Sequence, residues 1–257
     1  MSVLTLGKRR SIAAIVMVSG ALLSTGAAQS GTGSVIGTTT GQANGIVGGE
    51  RLQNLGALKE TLLQYHDCTC TCGCYTAELD SVTREAGAFF DNYVSTALTG
   101  DHLDKRTGRK PVVVIDIDET ALSNWEIIKD RDFGYSRESF LQWEQAAKAP
   151  AIPGTLRLFN AVKAQGLPAV FLTARLESER DVTVGDLRAA GYAEWDGLIM
   201  KGADAPALAA DYKSQQRAAL REKGFIVVIN IGDQASDLSG EPALGRFKLP
   251  NPFYLVR

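Results

Sequence analysis

Apolar and polar positions follow different rhythms along this chain, and the changes of rhythm divide it into segments. Apolar residues fall at Leu52, Leu55, Leu58 and Leu62, a helical spacing. A second helical pattern runs from about Ala77 to Leu98 through Leu79, Val82, Ala86, Phe89, Phe90, Tyr93 and Val94. The two patterns predict a helical N-terminal segment packed on a main domain. From Pro111 onward, short β-branched runs alternate with helical patterns. The strands are predicted at Val112–Ile115, Ala169–Leu172, Gly197–Met200 and Ile226–Ile231. The helices are predicted at Thr155–Gln165, Ser178–Ala190 and Tyr212–Lys223. Gly166, Gly191 and Gly224 stand where glycine ends a helix. Such alternation predicts an α/β fold, a Rossmann-like parallel sheet covered by helices on both faces. Residues 123–150 break the rhythm with Trp125, Phe133, Tyr135, Phe140 and Trp143 ahead of Pro150 and Pro153. They predict a small cap over one end of the sheet. No internal repeat is present.

Residues 1–28 have the layout of a secretory signal peptide. Lys8-Arg9-Arg10 form a basic region, Ser11 to Leu23 an apolar one, and Gly26-Ala27-Ala28 offer small residues for cleavage. Arg9-Arg10-Ser11-Ile12 also matches part of a twin-arginine signal. Residues 29–50, rich in Gly, Ser and Thr, predict a flexible linker. The expected organisation is a signal peptide (1–28), a linker (29–50), a helical segment (51–110) and an α/β core (111–257) with its cap at about 123–150. The expected location is secreted or periplasmic, with no stable membrane anchor. A chain of 257 residues, 45% apolar and 22% charged, suffices for one substantial core. A net charge of -2 gives no sign of a nucleic-acid partner. With His66 and His102 as the only histidines, a His-rich metal centre is not expected. Oligomeric state is not legible.

The chemistry concentrates where the predicted strands end. Val112-Val113-Val114-Ile115 runs into Asp116-Ile117-Asp118-Glu119-Thr120. Carboxylates beside a buried strand are unfavourable unless a cation meets them, and in open α/β sheets ligands bind beyond the carboxyl ends of the strands. Three further sites recur at corresponding places: Thr173-Ala174-Arg175, Lys213, and Gly232-Asp233-Gln234-Ala235-Ser236-Asp237. Each suits one part of a phosphoryl-transfer site. Asp116 can attack phosphorus as a nucleophile. Asp118 can protonate the leaving oxygen and then deprotonate water. Thr173, with the backbone N–H of Ala174 beside it, can hold phosphate oxygens. Lys213 can hold both nucleophile and phosphate. Asp233 and Asp237 can hold Mg²⁺ against Asp116.

These residues resemble the haloacid dehalogenase (HAD) superfamily, and in particular its subfamily IIIB acid phosphatases, which include plant vegetative storage proteins and bacterial class C acid phosphatases. The resemblance is carried by Asp116-Ile117-Asp118-Glu119-Thr120-Ala121-Leu122-Ser123-Asn124, Phe171-Leu172-Thr173-Ala174-Arg175, Tyr212-Lys213 and Gly232-Asp233-Gln234-Ala235-Ser236-Asp237-Leu238, in that order, within residues 55–257. It implies a Rossmann-like core, Mg²⁺, and hydrolysis of small-molecule phosphomonoesters through an aspartyl-phosphate. It also implies a metal contact from the backbone carbonyl of Asp118. Members of this branch act on broad phosphomonoesters, in some cases nucleoside monophosphates.

Other readings stand beside these. Aspartates after strands often cap turns. Arg175 and Glu177 either contact substrate or pair with each other. Trp125, Tyr135, Phe140 and Trp143 can stack on an aromatic leaving group or pack in the core. The alternative functions are a non-catalytic storage or binding protein on the same fold and a thiol- or metal-handling protein using the Cys68–Cys74 cluster. Cys68, Cys70, Cys72 and Cys74 are outside the family pattern. They allow disulfides, an unremarkable exposed turn, or metal and thiol chemistry. A bridge between cysteines two apart closes a strained ring, so a distant pair such as Cys68 with Cys74 is the easier disulfide.

Overall fold

Val112, Val113, Val114 and Ile115 are buried on both sides of the sheet, which is why their run shows no polar alternation. They lie in β1 (Lys110–Ile115), the middle of a five-stranded parallel sheet. The other strands are β2 (Ala169–Leu176), β3 (Gly197–Lys201), β4 (Phe225–Gly232) and β5 (Gly245–Lys248), and the order is β3-β2-β1-β4-β5. Ile115 is in register with Phe171 of β2 and with Ile231 of β4. Successive β1 side chains enter two different cores. Val113 and Ile115 pack with Phe171, Ile229 and Ile231. Val112 and Val114 pack with Val170, Leu172 and Val227 against Tyr212 and Leu220 of α7 (Ala209–Glu222).

The computed structural model describes residues 52–70 and 73–256. The expected signal peptide (1–28), the expected linker (29–50) and Cys72 lie outside the described residues. Among the described residues no helix is long and apolar enough to cross a membrane.

The first core is closed by α2 (Tyr75–Ala97) and α5 (Pro153–Ala164). Helix α2 buries Leu79, Ala86, Phe90 and Tyr93 of the predicted stripe together with Tyr75 and Thr83, while Val82, Phe89 and Val94 are partly buried against the core. The two helices approach so closely that a Cβ on Gly154 would stand 2.0 Å from the Thr83 hydroxyl. The stripe expected in α1 (Leu55–Asp67) is only partly used. Leu52, Leu55 and Leu58 are exposed, and Leu62, Leu63 and Tyr65 pack on the core. The reason is local: Asn54 caps α1 by accepting from the Gly56 and Ala57 amides, so Leu52 lies before the helix and only its last turns reach the domain.

The segment expected to form the cap contains α3 (Trp125–Asp130) and α4 (Arg137–Gln145). Strand β2 runs beyond the predicted Leu172, because pairing with β3 resumes at Leu176 after an irregularity. Residues Glu177–Glu179 form a 3₁₀ turn before α6 (Arg180–Ala189), where a continuous helix was predicted. Strand β5, four residues with two cations, carries no pattern that predicts it. Gly166, Gly191 and Gly224 take positive φ after α5, α6 and α7, as expected of C-caps. In the turn between α1 and α2, Cys68 and Cys74 form a disulfide, and the Cys70 sulfur is 3.4 Å from that of Cys74. No described cysteine is free.

Candidate active site

Chain direction diverges from the middle of the sheet. After β1 the chain passes to β2, and β4 lies on the other flank. A crevice therefore opens beyond the carboxyl ends of β1 and β4. Asp116 stands at the tip of β1, its amide donating to the Ile231 carbonyl at 3.0 Å. Its side chain is buried. Lys213, on α7, donates to Asp116 Oδ1 at 2.5 Å and to Asp237 Oδ1 at 2.6 Å. Asp237 is carried by α8 (Ala235–Leu238), a single turn folded back over the tip of β4. That fold-back needs Gly232, because a Cβ there would meet Asp237 Cβ and Oδ2 at 2.5 Å. The Gln234 amide donates to Asp237 Oδ2 at 2.8 Å and sets the other oxygen toward Lys213.

Asp116, Asp233 and Asp237 each offer an oxygen within 4.8 Å of the other two, and all three residues are buried. Burial, then the Asp237 charge, pushes the Asp116 carboxyl well above its ordinary range. Burial, then Asp237 and Glu119, pushes Asp233 up to about 7. Lys213 supplies one positive charge against three carboxylates, and despite burial Asp116 and Asp237 hold its ammonium above the ordinary lysine value. Three buried oxygen donors with unbalanced negative charge fit a hard divalent cation.

Beyond Asp116 the chain curls tightly, with the Thr120, Ala121 and Leu122 amides all directed at the Ile117 carbonyl. The curl turns Asp118 outward: its side chain is 32% exposed, against 8% for Asp116. Asp118 Oδ1 accepts from Asn124 Nδ2 at 2.9 Å and from Arg175 Nη2 at 2.7 Å. Burial works to raise the Asp118 carboxyl, but the Arg175 charge and these hydrogen bonds outweigh it and hold it below the ordinary range. Glu119 takes the left-handed conformation (φ 53°) and is buried. Its carboxylate accepts from the Asn124 amide at 2.6 Å and from the Tyr254 hydroxyl. Burial and then Asp118 push Glu119 up to about 7.

Thr173 is buried within β2, just past the stretch paired with β1, and its hydroxyl accepts from the Arg175 amide at 3.1 Å. Arg175 does not pair with Glu177, contrary to one expectation. Along an extended strand its side chain points inward, where it meets Asp118, Asp186 (3.0 Å) and Glu144 (3.6 Å). Glu177 is outside and pairs with Arg180. A cavity of about 500 Å³ opens between Asp118, Arg175 and Ala174 on one side and Phe133, Tyr135 and Phe140 on the other. Trp125 and Trp143 are not among its lining residues. The Trp125 ring stacks on His66 with centroids 3.7 Å apart, and the Trp143 indole donates to Asn124 Oδ1 at 2.9 Å.

Sequence patterns gave no notice of Glu144, Asp186, Asn251 or Tyr254. The first two complete the cage around Arg175, and the last two reach Asp233 and Glu119 from beyond β5. None follows a strand tip or has a fixed spacing to another motif. The one available signal was Asn251-Pro252, a polar residue held extended by the proline after it.

Residues 52–257 match the family model of the HAD superfamily, subfamily IIIB (Acid phosphatase). The chain is 39% identical over 187 residues to Acid phosphatase 1 of Solanum lycopersicum, covering 71% of this chain and 69% of that protein. It is 30% identical over 198 residues to Vegetative storage protein 1 of Arabidopsis thaliana, covering 69% and 73%. Among solved structures, the class C acid phosphatase from Bacillus anthracis with tungstate bound superposes with a TM-score of 0.61 at 18% identity, over 77% of this chain and 85% of that one. At that identity the likeness is one of fold.

Proposed function

Because this chain belongs to the acid phosphatase family of HAD subfamily IIIB, we propose that it is an exported, Mg²⁺-dependent phosphomonoesterase working through an aspartyl-phosphate on Asp116. The observation that carries the proposal is Asp116 itself: a buried carboxylate clamped by Lys213 at 2.5 Å and grouped with Asp233 and Asp237. The Lys213 contact favours the ionised, nucleophilic form that burial opposes. One Asp116 oxygen attacks phosphorus, the bond from phosphorus to the ester oxygen breaks, and the leaving oxygen takes the Asp118 proton. Asp118, now ionised, takes a proton from water, whose oxygen attacks phosphorus. The bond to Asp116 breaks, and phosphate leaves. In the free enzyme Arg175 and Asn124 favour the ionised form of Asp118, which is the form that takes the proton from water in the second step. Thr173, the Ala174 amide and Lys213 receive the phosphate oxygens. Mg²⁺ on Asp116, Asp233, Asp237 and the Asp118 carbonyl would neutralise the repulsion between phosphate and carboxylates.

The aromatic side of the cavity, with Phe133, Tyr135 and Phe140, suits an aromatic leaving group such as that of a nucleoside monophosphate. The test is p-nitrophenyl phosphate hydrolysis with Mg²⁺ and with excess EDTA, beside Asp116→Asn. We expect turnover that needs both the metal and Asp116, with the variant at background. Wild-type-like turnover by the variant would remove Asp116 from the chemistry. The storage relatives make a non-catalytic role the second reading. A folded, Mg²⁺-loaded protein without activity would favour it, and the presence of Asp116 speaks against it.

A further inference from the structure

The segment that follows β5, Asn251–Val256, binds to both acidic motifs at once. Asn251 Nδ2 donates to Asp233 Oδ2 at 2.6 Å. The Tyr254 hydroxyl donates to Glu119. The Val256 amide donates to Gln234 Oε1 at 3.0 Å, and the Ser236 hydroxyl donates to the Val256 carbonyl at 3.0 Å. Gln234 in turn donates through Nε2 to Asp233 Oδ2 at 2.6 Å. Two amide groups therefore occupy the same oxygen of Asp233, one from the segment and one braced by it. The other oxygen has only a long, 3.4 Å approach from the Thr120 hydroxyl and is left for a ligand. Phe253, Tyr254, Leu255 and Val256 meanwhile line the cavity. Asn251 is held in place by its own turn, its Oδ1 accepting from the Phe253 amide at 2.9 Å.

We propose that Asn251–Val256 is a positioning strap for the metal carboxylate, with Asn251 fixing the rotamer of Asp233 so that one oxygen is presented to a divalent cation. This rests on the assignment of Asp233 to the metal site above. A carboxylate that binds through one oxygen needs its other oxygen anchored, or the side chain rotates and loses orientation on each binding event. Groups that anchor metal ligands in this way contribute about 10–100-fold in metal affinity. The strap carries the anchor at Asn251 and walls the cavity with Phe253–Val256, so the cation site and the leaving-group wall are set by one element.

The test is Mn²⁺ binding by titration calorimetry on the whole protein, wild type beside Asn251→Ala, together with the Mg²⁺ dependence of p-nitrophenyl phosphate turnover. We expect Asn251→Ala to bind Mn²⁺ about 10-fold more weakly or worse, with most of the lost turnover recovered as Mg²⁺ is raised and little change in KM. If Asn251→Ala fails to fold, Asn251→Ser carries the test. Its hydroxyl can keep the turn with the Phe253 amide but falls short of Asp233. A variant that binds Mn²⁺ like the wild type would overturn the strap. So would a uniform loss of kcat at every Mg²⁺ concentration, which is the mark of a structural role alone. If the wild type binds no Mn²⁺, the metal-site assignment fails instead.

Discussion

Arg175 shows how much one residue carries at this site. Its guanidinium is buried among Asp118, Asp186 and Glu144, and burial, which disfavours its charge, is outweighed by their carboxylates. The three partners are not equivalent. Asp118 is hydrogen-bonded on both oxygens and is held low, whereas Asp186 has one oxygen without a partner. Burial pushes Asp186 up to about 6 in spite of Arg175. The native state thus holds a proton that the unfolded chain releases near pH 4. As pH rises from about 4 to about 6, the unfolded state binds fewer protons than the native one, and stability falls across that window. Asp186→Asn should lack this loss. Relative to wild type it should gain stability between pH 4 and pH 7, by about 3 kcal/mol at most. Urea unfolding at the two pH values measures this. A wild-type-minus-variant difference that does not change with pH would mean that Asp186 is ionised throughout.

Helix packing beneath the site is decided at one close contact. Gly154 opens α5 directly against Thr83 of α2, with no room for a methyl group. Alanine is the better helix former by up to about 1 kcal/mol. Overpacking a fitted interface costs about 1–3 kcal/mol, and Thr83 is a short, buried side chain with little freedom to move. The clash should win: Gly154→Ala is expected to lose about 1–2 kcal/mol, read from its urea midpoint. A stabilised variant would show that α2 can step back. Most elements here were legible from their periods, because strand and helix bury apolar side chains at spacings of 2 and 3.6 residues. The exceptions have physical causes. Strand β5 is short and half exposed, and the helix before Arg180 is replaced by a 3₁₀ turn whose Leu176 amide is bonded by Glu179. The disulfide between Cys68 and Cys74 agrees with the distance argument for a distant pair.

For the molecule as a whole, a cation taken by Asp116, Asp233 and Asp237 would link folding to its binding, because it would relieve their unbalanced charge in the native state. A ligand that binds only the native state stabilises it by about 2.7 kcal/mol at a hundred times its dissociation constant. In a domain of this size that corresponds to a rise of about 5–10 °C in Tm. We expect saturating Mg²⁺ to raise the Tm over that in EDTA, and Asp233→Asn to remove most of the rise. An unshifted wild-type Tm would mean that the cluster does not take the cation. The sequence alone determined the α/β class, the family and the four motif positions. Buried strands must be apolar, and chemistry must stand where they end, so both are written in local order. It also placed Asp116 and Asp233 just past strand ends, whereas Thr173, expected after a strand, lies within the longer β2, and Lys213, expected at a helix start, lies one turn into α7. Only the tertiary structure decided which groups hold them. Arg175 turns to Asp118, Asp186 and Glu144 rather than to Glu177, and Trp125 turns to His66 rather than to the cavity. Asn251 and Tyr254 arrive from a segment with no periodic pattern. Contacts of that kind depend on side-chain direction and on distances between residues remote in the chain, and no local spacing records either.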